Sequence, residues 1–544
     1  MLRLLLLSLL LFSTTFMTAC NRQESQMMPA SANQSAAQPV HGDTMISGMI
    51  GDASNLLPVL SSDSASSEVS ELVYNGLVRY DKNLKLEGEL AESWEISPDN
   101  LTITFHLRPG VKWHDGAPFT AEDVLFTYQL LVDPAVPTAY ADRYKLVTRA
   151  EVLDPLTFRV QYAKPLASAL ISWGFSIHPR HLLSGQDLSK SPLASAPVGT
   201  GPYRFKEWKR GEKMVLEANR DYWEGAPYLD RVVYRVIPDE STMFLELQAG
   251  GVDQMGLTPI QYARQTDTAT FNRQFSKYRY PSFAYTYLGY NLKNPLFQDK
   301  RVRQALSHAI NKQELIDGVL LGLGQEATGP YKPGTWPNNP NVKKYPFDPT
   351  QAKKLLAEAG WSDRNGDGIV DKEGRPFAFT IVTNQGNEAR IKSAEIIQRR
   401  LHDVGVDVKI RVIEWASFLK EFINPGKFEA TILGWSVPID PDSYNVWHSS
   451  KTRPGELNFI GFQNAEVDEL LEKGRETLDE NQRKKYYDRF QEILAEEQPY
   501  TFLYVPDALP VVATRFKGIE PAAAGIMHNF IKWHVPKEEW KYVQ

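Results

Sequence analysis

Residues 101–107 (Leu-Thr-Ile-Thr-Phe-His-Leu) alternate strictly between apolar and polar. The pattern puts Leu101, Ile103, Phe105 and Leu107 on one face and predicts a half-buried strand. Asp115-Gly116 then marks a turn. Thr120 predicts a helix start with Asp123 at the capping-box position, and Val124, Leu125, Tyr128 and Leu131 form its apolar stripe. Asp299 caps a second helix, in which Val302, Ala305, Leu306, Ala309 and Ile310 recur at helical spacing. Asn311 with Glu314 reopens a helix directly after it. Asp348-Pro349 supplies an N-cap and a Pro at the first helical position; Ala352, Leu355, Leu356 and Ala359 face inward, and Gly360 ends the helix. Residues 377–383 read as a strand, 387–404 as a helix stopped by Gly405, and 406–412 as another strand. That βαβ unit predicts parallel strands with a right-handed crossover. Two charged amphipathic helices at 467–478 and 482–497 precede a last strand at 500–505. The alternation of strand and helix predicts an α/β fold.

The first forty residues follow a different pattern. Arg3 precedes a nearly unbroken apolar stretch over 4–12, and Met17-Thr18-Ala19-Cys20 follows. Such a start predicts a secretory signal, too short for a stable membrane span. The small residues before Cys20 resemble the lipobox of bacterial lipoproteins. That resemblance implies cleavage before Cys20, lipidation of Cys20, and a mature chain of 544 − 19 = 525 residues. Buried acyl chains give about 0.8 kcal/mol per CH₂ of anchoring. Residues 20–44, rich in Gln, Ser and Ala beyond Cys20, read as a flexible tether. The expected location is the cell envelope, on the periplasmic or extracellular side, with the chain held to the membrane by its lipid.

Composition narrows the function classes. Hydrophobic residues make up 42% and charged residues 23% of the 544, which excludes a wholly disordered chain. A formal charge of −6 argues against a dedicated nucleic-acid binder. Cys20 is the single cysteine, so neither an internal disulfide nor a thiolate-rich metal site is expected.

Catalytic and metal motifs are weak. Gly322-Leu-Gly324-Gln-Glu-Ala327 matches a dinucleotide pattern but follows a helix, and reads as a flexible loop. His178 and His181 flank Pro179 and read as a structural turn. Glu89, Glu92 and Glu95 read as solvated carboxylates. Asp363, Asn365 and Asp367 occupy positions 1, 3 and 5 of a calcium-type loop with Gly368 at 6, but Gly374 stands at 12 in place of the bidentate Glu. The loop therefore reads as a tight polar hairpin, with calcium as the alternative. No catalytic residues, metal or cofactor are expected. With 12 Trp, 24 Tyr and 25 Phe available as cleft walls, binding is favoured over catalysis.

Several blocks occur in order: Gly76-Leu-Val-Arg-Tyr-Asp81, Leu90-Ala-Glu-Ser-Trp-Glu95, Phe105-His-Leu-Arg-Pro-Gly-Val-Lys-Trp-His-Asp-Gly116 and Phe119-Thr-Ala-Glu-Asp-Val124. Gly199-Thr-Gly-Pro-Tyr203, Asn219-Arg-Asp-Tyr-Trp223, Val302-Arg-Gln-Ala-Leu306 and Gly434-Trp435 continue the series. Together they resemble solute-binding protein family 5, the dipeptide- and oligopeptide-binding components of ABC importers. The resemblance implies a class II periplasmic-binding fold. Lobe I would combine 45–80, 199–289 and 504–544, with 81–198 as its extra domain; lobe II would span 290–503. The chain would cross between lobes near Tyr290 and near Val505, forming a hinge.

The resemblance also implies a ligand site. An extended peptide would lie between the lobes against Gly434, Trp435 and Ser436: Gly434 permitting close approach, Trp435 a flat apolar wall, Ser436 hydrogen bonds. Peptide binders of the family often place an Asp three residues after that Trp, where it pairs with the ligand's α-ammonium; here the position is Pro438. Asp440 or Asp442 is the expected substitute, with capping of the turn into 443–447 as the alternative for Asp440. The expected partners are a peptide and membrane permease subunits, with the chain itself monomeric. A nickel chelate, haem, an oligosaccharide or another small molecule is the alternative ligand. A secreted hydrolase, or an adhesin or chaperone-like surface protein, is the alternative class.

Overall fold

The alternation at 101–107 becomes the strand Thr102–Leu107, with Ile103, Phe105 and Leu107 buried, in the computed structural model, which describes residues 39–542. Cys20, the leader 1–19 and most of the tether fall outside the described residues. Thr120 opens the helix Ala121–Val132, its amide donating to Asp123 Oδ2 at 3.0 Å. The buried face of this helix is wider than the stripe predicts. Phe126, Thr127 and Leu130 join Val124 and Leu131, while Leu125 and Tyr128 are only half-buried. The cause is packing on two sides, against the strand Val147–Asp154 and the helix Arg180–Leu183.

These elements belong to an extra domain with a four-stranded antiparallel sheet, in the order Ala91–Ile96, Thr102–Leu107, Thr157–Tyr162, Val147–Asp154. Its core centres on Phe105, Trp113, Phe158 and Trp173, and also takes in Leu57, Val59, Leu77 and Val78 from before residue 81. Glu89 departs from expectation. It accepts hydrogen bonds from Asn75 Nδ2 and the Gly76 amide, both at 2.7 Å. Burial raises its pKa to about 7 against the lowering effect of those donors and of Arg79. Glu92 and Glu95 are exposed.

Two larger sheets form the lobes. The first runs in the order Phe275–Lys277, Pro510–Ala513, Gln254–Gly256, Thr44–Met49, Arg231–Val236, Lys213–Ala218, Tyr203–Lys209. The second runs Tyr280–Pro281, Tyr500–Ala508, Ala284–Tyr290, Ala430–Ser436, Ala378–Asn384, Asp407–Ile413. Within it, Ala378–Asn384 and Asp407–Ile413 pair in parallel around the helix Glu388–His402, as the βαβ pattern predicts. Gly324–Glu326, expected as a loop, is a short strand paired with 504–506. Backbone pairing overrides the local glycine signal there.

The chain passes between the two sheets twice. Phe275–Lys277 lies in the first sheet and Ala284–Tyr290 in the second; Tyr500–Ala508 lies in the second and Pro510–Ala513 in the first. Tyr280–Pro281 pairs with residues 507–508, so the two connections run side by side. The crossings fall at 278–279 and at 509 rather than at Tyr290 and Val505. Tyr285, Tyr287 and Tyr290 are already buried in the second lobe, which is why that strand belongs to it whole. Two adjacent strand connections, with separate cores on either side, have the form of a hinge.

Elsewhere, Asp363 turns its carboxylate on its own loop, accepting from the amides of Gly366 at 2.7 Å and Gly368 at 3.0 Å. His181 pairs with Asp115 at 2.7 Å, whereas His178 is buried between Phe175 and Tyr74. Among the described residues no helix is long and apolar enough to cross a membrane, and no group of three His, Cys, Asp or Glu is placed to hold a metal.

Candidate functional site

A cavity of about 1120 Å³ lies between the lobes, bordered also by the extra domain. It exceeds the roughly 300–1,000 Å³ typical of small-ligand pockets. Gly48–Gly51 side residues such as Met49 come from lobe I, Gly434, Trp435 and Ser436 from lobe II, and Tyr140 and Phe175 from the extra domain.

The strand Ala430–Ser436 pairs along its whole length with Ala284–Tyr290. On its other side it pairs with Ala378–Asn384 only at Ala430 and Thr431. Past Thr431 the ladder between these two strands ends, so among the described residues Gly434, Trp435 and Ser436 have one edge without a strand partner, and all three residues border the cavity. An unpaired strand edge offers backbone N–H and C=O groups to an extended chain. Trp435 stacks on Phe459 with ring centroids 5.7 Å apart and donates through Nε1 to the Tyr500 hydroxyl at 3.3 Å, so its ring is held as a wall. A Cβ on Gly434 would lie 2.8 Å from Arg390 Nη2 and 2.9 Å from the Tyr285 carbonyl. Glycine is therefore required for the guanidinium to sit over this backbone.

Arg390 itself is missed by sequence reasoning, since nothing separates it from the other cations of its helix. It extends from the helix Glu388–His402, donates Nη1 to Asn384 at 2.8 Å, and leaves a buried Nε with no partner. Among the described residues no carboxylate pairs with it, and burial lowers its pKa although nearby tyrosines and Glu240 act the other way.

Asp440 and Asp442 have their charges matched within the protein. Asp440 pairs with Arg483 at 3.1 Å and accepts the Asp442 amide at 3.0 Å; it is not among the residues bordering the cavity. Asp442 borders the cavity, but its Oδ2 lies 3.0 Å from both Arg143 of the extra domain and Arg475 of lobe II. Its Oδ1 accepts the Tyr444 amide at 3.2 Å, so Asp440 and Asp442 each accept the amide two residues on along the turn into 443–447. Burial opposes its ionisation, yet Arg475 and Arg143 outweigh that and hold the pKa at about 2. Lys451 of lobe II pairs with Asp142 of the extra domain beside it.

The lobes also meet directly. Glu240 of lobe I accepts the Glu388 amide of lobe II at 3.2 Å. Gly386, at φ +86°, lies so close to the opposite lobe that a Cβ there would come within 2.5 Å of the Pro238 carbonyl. Trp415 packs against Gly51 in the same way, at 3.0 Å from where a Cβ would stand.

Residues 85–456 match the family described as bacterial extracellular solute-binding proteins, family 5 Middle. The oligopeptide-binding protein AppA of Bacillus subtilis is 35% identical over 98% of this chain and 99% of its own. Heme-binding protein A of Haemophilus influenzae is 31% identical over 90% of this chain and 91% of its own. The structure of AppA from B. subtilis in complex with a nonapeptide superposes with a TM-score of 0.88 at 34% identity, covering 92% of this chain and all of that one.

Proposed function

The chain belongs to the bacterial extracellular solute-binding proteins of family 5, with the class II periplasmic-binding fold of its structural neighbours, and from that premise we propose that it captures oligopeptides between its lobes and delivers them unaltered to the permease of an ABC importer. The observation that carries this reading is the free edge at Gly434, Trp435 and Ser436 facing a cavity large enough for an extended chain. Backbone pairing there gives affinity without reading side chains, and the Trp435 ring supplies a flat apolar surface. The unmatched guanidinium of Arg390 suits a ligand carboxylate. Asp440, expected as an ammonium anchor, is occupied by Arg483 and is not assigned that role.

The cycle follows from the hinge. A ligand touching both lobes favours the closed arrangement, in which Gly386 and Glu240 make their contacts across the gap. The closed form then docks on membrane permease subunits. Lipidation at Cys20 holds the receptor at the membrane, and the tether lets a monomeric body work in the water beside it.

Isothermal titration with synthetic nonapeptides tests the reading. Binding is expected, with Trp435→Ala weakening it by about tenfold, on the order of 1.4 kcal/mol. Binding of haem, a nickel chelate or a sugar with no binding of peptides would overturn the ligand class and leave the fold. Conversion of the peptide to a product would overturn the receptor role.

A further inference from the structure

The strand Ala430–Ser436 has two faces of different character. Ala430 and Ile432 turn toward the core that holds Leu288 and Leu306. Leu433 is buried in the other core of lobe II, and Trp435 packs against that core. Their partners across the ladder, Tyr287 and Tyr285, belong to it as well, so the alternation of the strand is kept up to its end. Leu433 and Trp435 also border the interlobe cavity, so an apolar face reaches the free edge of the strand.

A helical segment extends this face. Glu414 caps it, accepting the amides of Ala416 at 2.9 Å and Ser417 at 3.0 Å, and the segment continues as a π-helix over Phe418–Ile423. Trp415, Leu419 and Ile423 recur at every fourth residue, and all three border the cavity. Short π-helical turns of this kind recur at functional sites. Trp415 and Leu419 pack against the same core as Trp435, and Phe459 stacks on the Trp435 ring. Trp415 is held from the opposite lobe as well. It packs against the lobe I core, where Gly51 leaves no room for a Cβ beside it. The wall is therefore complete when the lobes are together. Glu456, three residues before Phe459, borders the cavity too, but its charge is matched by Lys451 at 3.2 Å and Arg453 at 2.9 Å.

We propose that Trp415, Leu419, Ile423, Leu433, Trp435 and Phe459 form a pocket for one large apolar side chain of the bound peptide, so that capture selects peptides with Leu, Phe or Trp at one fixed position. This rests on the peptide-capture reading and narrows the ligand class within it. An extended chain paired to the free edge sends alternate side chains to opposite faces of the sheet. Those sent to the face of Leu433 and Trp435 meet the apolar wall, and backbone pairing sets which position that is. Apolar surface removed from water there adds affinity, and ring contacts with Trp415 or Trp435 add to it. A Lys or Glu in the same place would lose water and gain no partner.

The test uses the full chain freed of ligand and synthetic nonapeptides of Ala and Ser in which one position at a time carries Leu, Trp, Ser or Lys. Retention from an equimolar mixture is read by mass spectrometry. At one position the wild type is expected to retain Leu and Trp peptides about tenfold over Ser peptides, with Lys peptides lowest. Leu419→Glu should turn the preference at that position toward Lys. Leu419→Ala should reduce the preference for Leu and Trp to about threefold or less, and it decides alone if Leu419→Glu does not fold. An unchanged preference in both variants would overturn the pocket and leave peptide capture standing. So would a wild-type preference for Leu and Trp that is absent, or equal at all positions. Retention of no peptide by the wild type would overturn the peptide reading itself, and this inference with it.

Discussion

Asp442 offers the sharpest test of how the extra domain is held to lobe II. Its side chain is 1% exposed and lies between Arg143 and Arg475, with the Ser168 hydroxyl at 3.4 Å from the same oxygen. The pKa falls from 3.8 to about 2, which corresponds to a few kcal/mol, on the order of 2–3, in favour of the ionised form although burial acts against it. Asp442→Ala removes that and also leaves two arginines facing each other, one of them only 5% exposed. Breaking a buried ion pair in this way costs about 3–5 kcal/mol. Urea unfolding at pH 7, followed by circular dichroism and by tryptophan fluorescence, should show a loss in that range. Because the folded-state pKa is depressed, the stabilisation is complete above pH 3.8 and is lost as pH falls toward 2. The gap between wild type and variant should therefore hold from pH 7 to about 4 and begin to close at about pH 3. A variant within about 0.5 kcal/mol of wild type at pH 7 would refute the argument, as would a gap that is the same at pH 3 as at pH 7.

Three further outcomes follow from the geometry. His178 is fully buried with both ring nitrogens unpartnered, and burial lowers its pKa from 6.5 to about 4. The folded state refuses a proton that the unfolded state accepts, so stability should fall by up to about 3 kcal/mol as pH drops from 6.5 to 4; thermal midpoints of His178→Phe should lose part of that slope, and an unchanged slope would remove His178 as its source. Gly434→Val should weaken nonapeptide binding by at least about tenfold in calorimetry, because the new Cβ would meet the Tyr285 carbonyl and displace Arg390; full affinity would show that the guanidinium need not sit there. Gly386→Ala should hold the lobes apart, since its Cβ would stand 2.5 Å from the Pro238 carbonyl, and small-angle scattering in the presence of peptide should give a larger radius of gyration than for wild type. An identical radius would mean that the Gly386 contact does not govern closure.

The sequence makes the local elements legible where one signal dominates. Asp299, Asn311 and Asp348 each accept a backbone amide at the helix start that their identity predicts. The parallel pair around Glu388–His402 follows from its apolar alternation, although Val412 at the strand's end is exposed. The crossings between lobes are not legible in the same way. Tyr285, Tyr287 and Tyr290 lie on one strand, and only its neighbours in the sheet decide which lobe owns it. Gly434, Trp435 and Ser436 stand out because the Gly-Trp block resembles the cleft-lining segment of the family. Arg390 does not, because a charged residue on an amphipathic helix looks the same whether it faces bulk water or a cavity. The partners of Asp440 and Asp442 are hidden for a related reason. Arg143, Arg475 and Arg483 are distant in sequence and meet these carboxylates only when three parts of the chain come together.

A crystal structure of the protein loaded with a nonapeptide would test peptide capture most directly. We expect an intact, extended chain in the cavity, with backbone hydrogen bonds to Gly434, Trp435 or Ser436 and both lobes in contact with it. A peptide bound elsewhere on the surface, or cleaved in the cavity, would contradict the account.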